Sequence, residues 1–143
     1  MGGVSRAASW EHFDHGADVG VRGVGPTKEA AFEQIAVALT ATITDPAAVR
    51  PAAAVEIVCE APTDELLVVD WLNALVYEMA TRRVLFARYE VKVEGARLRA
   101  KAFGEPVDVP RHSPAVEVKG ATWTGLRVLR EGSGWLAECV VDV

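Results

Sequence analysis

The stretch after Thr63 most constrains the fold, because its pattern is that of a long amphipathic helix. Thr63 is a suitable N-cap, and Asp64 and Glu65 follow in the first turn, where the helix dipole favours negative charge. Apolar residues then recur at helical spacing in a stripe made of Val68, Leu72, Leu75, Val76 and Met79. Such a stripe must be buried, so we predict that this segment is the main core helix.

A second helix and several strands are predicted around it. The second helix runs from Lys28 to about Thr42, with Thr27 as its N-cap. Other segments alternate apolar and polar residues, as strands with one wet face do; they cover 10–13, 19–24, 55–60, 89–94, 97–102, 116–122, 126–129 and 135–143. The pattern predicts a single two-layer α+β domain, in which a mixed or antiparallel β-sheet packs with two main α-helices.

The length and composition agree with one folded domain. The chain has 143 residues, of which 50% are apolar and 24% charged, an ordinary balance for a globular protein. Residues 1–9 are mostly small and polar and are predicted to form a flexible N-terminal tail. The domain itself is predicted to span residues 10–143.

The charge and the apolar runs exclude several classes of protein. The net charge is −5 and no basic stripe is present, which disfavours direct, tight binding to nucleic acid. Neither a signal peptide nor a run of about 18 apolar residues is found, so we expect a soluble cytoplasmic protein without a membrane segment. Cys59 and Cys139 lie far apart in apolar segments, and we predict that both are buried free thiols.

Titratable side chains are concentrated in one short segment near the start of the chain. Two histidines and three carboxylates fall within the eight positions 11–18, and four of them could bind a metal or transfer a proton: His12, Asp14, His15 and Asp18. The third histidine, His112, lies in a proline-rich loop. The alternatives are structural: hydrogen-bonded histidines, a turn-forming Asp14, and a His112 that anchors its loop.

The last strand brings two further oxygen donors together. Asp142 and the terminal carboxylate of Val143 lie next to each other, and a pair of like charges favours a bound cation. Hard oxygen ligands without a thiolate favour calcium or magnesium over zinc. A solvated strand end remains the alternative, since spacing in the sequence does not bring Asp18 to Asp142.

No familiar catalytic motif accompanies these residues. A nucleophile elbow, a phosphate loop and a dinucleotide fingerprint are all missing from the sequence. Residue patterns alone therefore leave two open readings of the site. One is a metal-dependent hydrolase in which Asp18 and Asp142 hold the ion and His15 or His112 is the base, and the other is a chaperone-like binding module.

Several segments, taken in order, resemble the archease family. These segments are residues 11–20, the start of the capped helix that leads to Glu33, and residues 66–73, 102–106, 111–112, 117–119 and 141–143. The resemblance implies a small α+β accessory protein of the RtcB-type RNA ligase, which joins RNA ends in tRNA splicing and repair. It implies no enzymatic activity of its own, RNA contact only through the ligase, and a role in promoting ligase guanylylation and multiple turnover.

The resemblance also implies where a divalent cation, most often calcium, would bind. That site maps onto Asp18, Asp142 and Val143, with Asp14, His15, His12 and His112 as supporting candidates. The sequence departs from the family pattern in two places. Gly16 stands where the family usually has threonine, and Trp123-Thr124 stands where it usually has a Tyr-His pair.

Overall fold

The computed structural model describes residues 7–143, which form two antiparallel sheets and two long helices. The strands and helices are β1 (Ser9–His15), β2 (Asp18–Gly25), α1 (Lys28–Ile43), β3 (Ala53–Glu60), α2 (Asp64–Arg82), β4 (Val84–Glu94), β5 (Arg97–Pro106), α3 (Val109–His112), β6 (Gly120–Ala121), β7 (Arg127–Glu131) and β8 (Gly134–Asp142). Sheet A has the order β1-β2-β8-β6, with β7 also paired to β8, and sheet B has the order β3-β5-β4.

The predicted α+β class with two main helices is confirmed. The strands form two separate sheets, and helix α1 covers the β4 edge of sheet B. The Thr40 hydroxyl donates to the Phe86 carbonyl oxygen at 2.9 Å, and the Glu33 carboxylate accepts from the Val91 amide at 2.9 Å. Side chains of α1 thus bond to main-chain groups of β4 that another strand would otherwise use. Sheet B therefore ends at β4.

The core helix α2 forms as its caps and its apolar stripe predict. Thr63 accepts a hydrogen bond from the Leu66 amide at 3.2 Å, and the helix ends at Arg83 in the left-handed conformation. Trp71 is fully buried, and its indole nitrogen donates to the Phe32 carbonyl at 3.0 Å, which links α2 to α1. The predicted stripe is buried except for Val76, which is half-buried.

The ends of several segments differ from the prediction. The predicted loop over 14–18 shortens to a two-residue turn, in which Gly16 has a φ of +62°, a conformation that glycine adopts without strain. The predicted strand over 116–122 is wrong except at Gly120 and Ala121. Of the predicted tail, residues 1–6 lie outside the described part of the chain, and Ser9 is the first residue of β1.

Both cysteines are buried and free, as predicted. Burial raises the pKa of the Cys59 thiol to about 11 and that of the Cys139 thiol to about 12, so both remain protonated at neutral pH. Among residues 7–143, no helix combines the length and apolar character that crossing a membrane requires.

Candidate functional site

Strand pairing in sheet A brings Asp18 next to Asp142. Val19 of β2 lies opposite Val141 of β8, so the same register continued by one residue places Asp18 opposite Asp142. His15 of β1 lies opposite Asp18 on the other side. Side chains at directly opposite positions share a face of the sheet, so these three point to the face away from α1. We call Asp18 and Asp142 the aspartate pair.

The carboxylates of the aspartate pair have no partner in the part of the chain that the structure describes. Neither side chain makes a hydrogen bond or an ion pair with any residue from 7 to 143. Asp18 is half-buried at the start of β2, and Asp142 is exposed at the end of β8. Two like charges at opposite positions of neighbouring strands destabilise a sheet, and a cation between them would offset that repulsion.

A cation at this place would need a third protein ligand that is not a side-chain carboxylate, thiolate or imidazole. Over residues 7–143, no three His, Cys, Asp or Glu side chains are placed to hold a metal ion together. Val143 follows Asp142 directly and is half-buried against the core. The aspartate pair offers only oxygen atoms as ligands, which fits calcium or magnesium.

His12 and Asp14 point to the opposite face of sheet A from the aspartate pair. His12 lies opposite Val21, and its Nε2 is 2.8 Å from the Ala38 carbonyl oxygen of α1. His12 therefore ties β1 to α1, in agreement with the structural alternative. Asp14 lies opposite Val19 within the strand and is exposed.

His112 is buried in a hydrogen-bonded cluster that anchors the proline-rich loop. Its Nδ1 accepts from the Asp108 amide at 2.8 Å, so Nε2 carries the proton and donates to Glu105 at 3.0 Å. Glu105 also accepts from the Arg50 amide at 2.7 Å and from the Arg111 guanidinium at 2.7 and 2.8 Å. These bonds, those from Arg111 above all, lower the pKa of Glu105 to about 2.

The depressed pKa of Glu105 predicts a specific loss of stability in acid. The ionised form is favoured by folding, so its contribution is complete above the ordinary pKa of 4.5 and disappears as the pH falls towards about 2. We expect Glu105→Gln to lower the melting temperature at pH 7. The melting temperature of this variant should also fall less steeply than that of the wild type between pH 4.5 and about 2. Thermal unfolding at a series of pH values would measure this. Glu117→Gln, at an exposed position, is the control, and parallel curves for wild type and Glu105→Gln would contradict the prediction.

Sequence patterns did not reveal a row of charges beside the aspartate pair. On the same face of sheet A, Arg22 donates to Glu11 at 2.6 Å and to Glu138 at 3.2 Å, and Arg127 also pairs with the buried Glu138. The Arg22 guanidinium lies 4.8 Å from the centre of the Phe13 ring. The available signal was Glu138, a charged residue between apolar neighbours in the last strand. These ion pairs hold the charged side chains in place on the face where the aspartate pair lies.

Comparison with known proteins assigns this fold and these residues to one family. The model of the Archease protein family matches residues 10–143. Archease from Pyrococcus abyssi is 35% identical over 139 residues, covering 94% of this chain and 98% of that protein. Archease from Methanopyrus kandleri is 38% identical over 138 residues, covering 94% of this chain and 99% of that protein.

Solved structures agree with the sequence comparison. The solution structure of protein 1598 of Methanobacterium thermoautotrophicum has a TM-score of 0.83 and 28% identity, covering 94% of this chain and 99% of that one. The crystal structure of a Thermotoga maritima archease, described as a possible chaperone, has a TM-score of 0.60 and 18% identity, which shows the shared fold. The resemblance found in the sequence is confirmed, and the chain belongs to the archease family.

Proposed function

We propose that this protein is a non-catalytic accessory factor of an RtcB-type RNA ligase, and that it promotes ligase guanylylation and multiple turnover in tRNA splicing and RNA repair. The observation that carries the proposal is the match to the archease family over residues 10–143. The net charge of −5 supports RNA contact through the ligase rather than directly.

We further propose that a divalent cation, calcium, binds to the aspartate pair and the Val143 carboxylate. The unpartnered carboxylates and the oxygen-only donor set support this assignment. When bound, the ion supplies a fixed positive charge at the end of sheet A. His15 is the histidine that lies opposite Asp18 on the same face, whereas His12 and His112 bond elsewhere.

The geometry gives less support to a metal-dependent hydrolase. A hydrolase needs a pocket beside its ion, and a cavity of about 390 Å³ lies instead over sheet B, where neither member of the aspartate pair lines it. Both ring nitrogens of His112 are engaged in the Glu105 cluster, so this histidine is poorly placed to act as a base.

Multiple-turnover ligation tests the proposed function. The full chain is mixed with a cognate RtcB-type ligase and an RNA substrate, and joined RNA and guanylylated ligase are followed with time. We expect the protein to increase the number of turnovers per ligase while joining no RNA alone. Val58→Ala, at an exposed position on sheet B, should accelerate ligation as the wild type does. The proposal fails if the folded protein changes neither quantity.

The hydrolase alternative is tested with the isolated protein. Turnover of phosphoester substrates that disappears in Asp18→Asn would support it. We expect no such turnover.

A further inference from the structure

A seam between β6 and α2 lies beside the aspartate pair and bears two exposed aromatic side chains. The Ala121 amide of β6 donates to the Asn73 side-chain oxygen of α2 at 2.9 Å, and Gly120 lies opposite Asp142. Trp123 follows β6 and is 71% exposed, and Tyr77, one turn beyond Asn73, is 62% exposed. We call the surface formed by Asn73, Tyr77, Gly120, Ala121 and Trp123 the β6–α2 seam.

The backbone around Trp123 is held firmly although its side chain lies in solvent. The Thr122 amide donates to the Val140 carbonyl at 2.9 Å, and the Val140 amide donates to the Thr124 carbonyl at 3.1 Å. The Thr122 hydroxyl donates to the same Val140 carbonyl at 2.9 Å. The main chain that carries the indole is therefore fixed before any partner arrives. Tryptophan and tyrosine have only two side-chain torsions to immobilise on binding, and they are enriched among residues that dominate interface energies.

Carboxylates border this seam and indicate the charge of its partner. Asp70 is exposed on α2, one turn before Asn73, and Asp142 lies opposite Gly120. Lys119, next to Gly120, is the basic residue at this place. A divalent ion at the proposed cation site would offset only two of the three negative charges of the aspartate pair and the Val143 carboxylate, so together with Asp70 the acidic charge still exceeds that of Lys119. This excess repels a phosphate backbone and attracts a protein surface that carries lysine or arginine.

We propose that the β6–α2 seam docks the protein partner, with Trp123 entering an apolar pocket whose rim carries basic side chains. This proposal rests on the proposed function, since the partner is the ligase. It assigns the binding energy to the aromatic residues of the seam, beside the cation site and separate from its ligands.

Binding and ligation measured on the same variants test this assignment. Calorimetry with the full chain and the ligase should give a dissociation constant at least tenfold higher for Trp123→Ala, a smaller increase for Tyr77→Ala, and partial recovery for Trp123→Phe. Val58→Ala, 54% exposed on sheet B, should bind as the wild type does. Thermal unfolding should show the same melting temperature for wild type and Trp123→Ala, because an exposed side chain contributes little to the core.

The outcomes separate the two proposals. Wild-type binding and acceleration by both Trp123→Ala and Tyr77→Ala would overturn the assignment of the seam and leave the proposed function intact. A wild-type protein that neither binds nor accelerates the ligase would overturn both. Anisotropy of a labelled single-stranded RNA provides the remaining outcome: RNA binding that is lost in Trp123→Ala, with ligase binding unchanged, would mean that the indole stacks on bases instead.

Discussion

Replacing Gly23 with alanine is expected to lower the free energy of unfolding by about 3 kcal/mol, the upper end of the range for overpacking. A Cβ atom at this position would lie 2.2 Å from the Ile35 nitrogen and 2.3 Å from the Ala31 oxygen. Both are main-chain atoms of α1, so no side-chain rotation can relieve the contact. The helix would have to move away from sheet A and open the core around the fully buried Val21.

Urea unfolding at equilibrium would measure this loss against a matched glycine. Gly95 lies in the turn between β4 and β5 with a φ of +59°, and an added Cβ would meet nothing within 4 Å. Gly95→Ala therefore reports only the backbone cost of a left-handed residue, about 1 kcal/mol. A loss for Gly23→Ala no larger than that for Gly95→Ala would contradict the close approach of α1 to β2.

Asp142→Asn is expected to affect thermal stability in opposite directions without and with calcium. In a chelator, the variant should melt at the same temperature as the wild type or higher, because it removes the repulsion within the aspartate pair. In calcium, the wild type should gain stability by binding the ion, and the variant should lose most of that gain. Calorimetric titration should show calcium affinity at least tenfold weaker for Asp142→Asn and for Asp18→Asn.

Asp14→Asn is the matched control for these two substitutions. Asp14, like Asp142, is an exposed aspartate of sheet A, but it points to the opposite face, so this variant should keep the calcium response. One residue added after Val143 would move the terminal carboxylate and should weaken calcium binding as well. If calcium produces neither heat nor stabilisation with the wild type, the cation proposal is wrong, and a binding module without metal becomes the better description.

The helices could be predicted from the sequence because their determinants are local. Thr27 and Thr63 cap the first turns, and apolar residues at helical spacing mark the buried faces, so α1 was expected over 28 to about 42 and is found at Lys28–Ile43. Strand alternation likewise located β3, β4, β5 and β8. These features depend on neighbours within a few residues, which the sequence shows directly.

The segment before β6 shows why alternation alone can mislead. Val116 and Val118 alternate with polar residues, yet a strand exists only where a partner supplies main-chain hydrogen bonds. Strand β8 ends at Asp142, which lies opposite Gly120, so the residues before Gly120 run beyond the end of their partner. The Lys119 amide still reaches the Asp142 carbonyl at 2.8 Å, and the ladder continues no further.

The sequence by itself determined the class of fold, both helices, the family and the residue types from which a cation site could be built. Only the tertiary structure decided which of those residues meet. The pairing of β2 with β8 places Asp18 opposite Asp142, whereas the neighbouring β1–β2 hairpin puts His15 on the same face and His12 and Asp14 on the other. The physical reason is that strand register depends on hydrogen bonds between segments far apart in the chain, and no local pattern specifies that pairing.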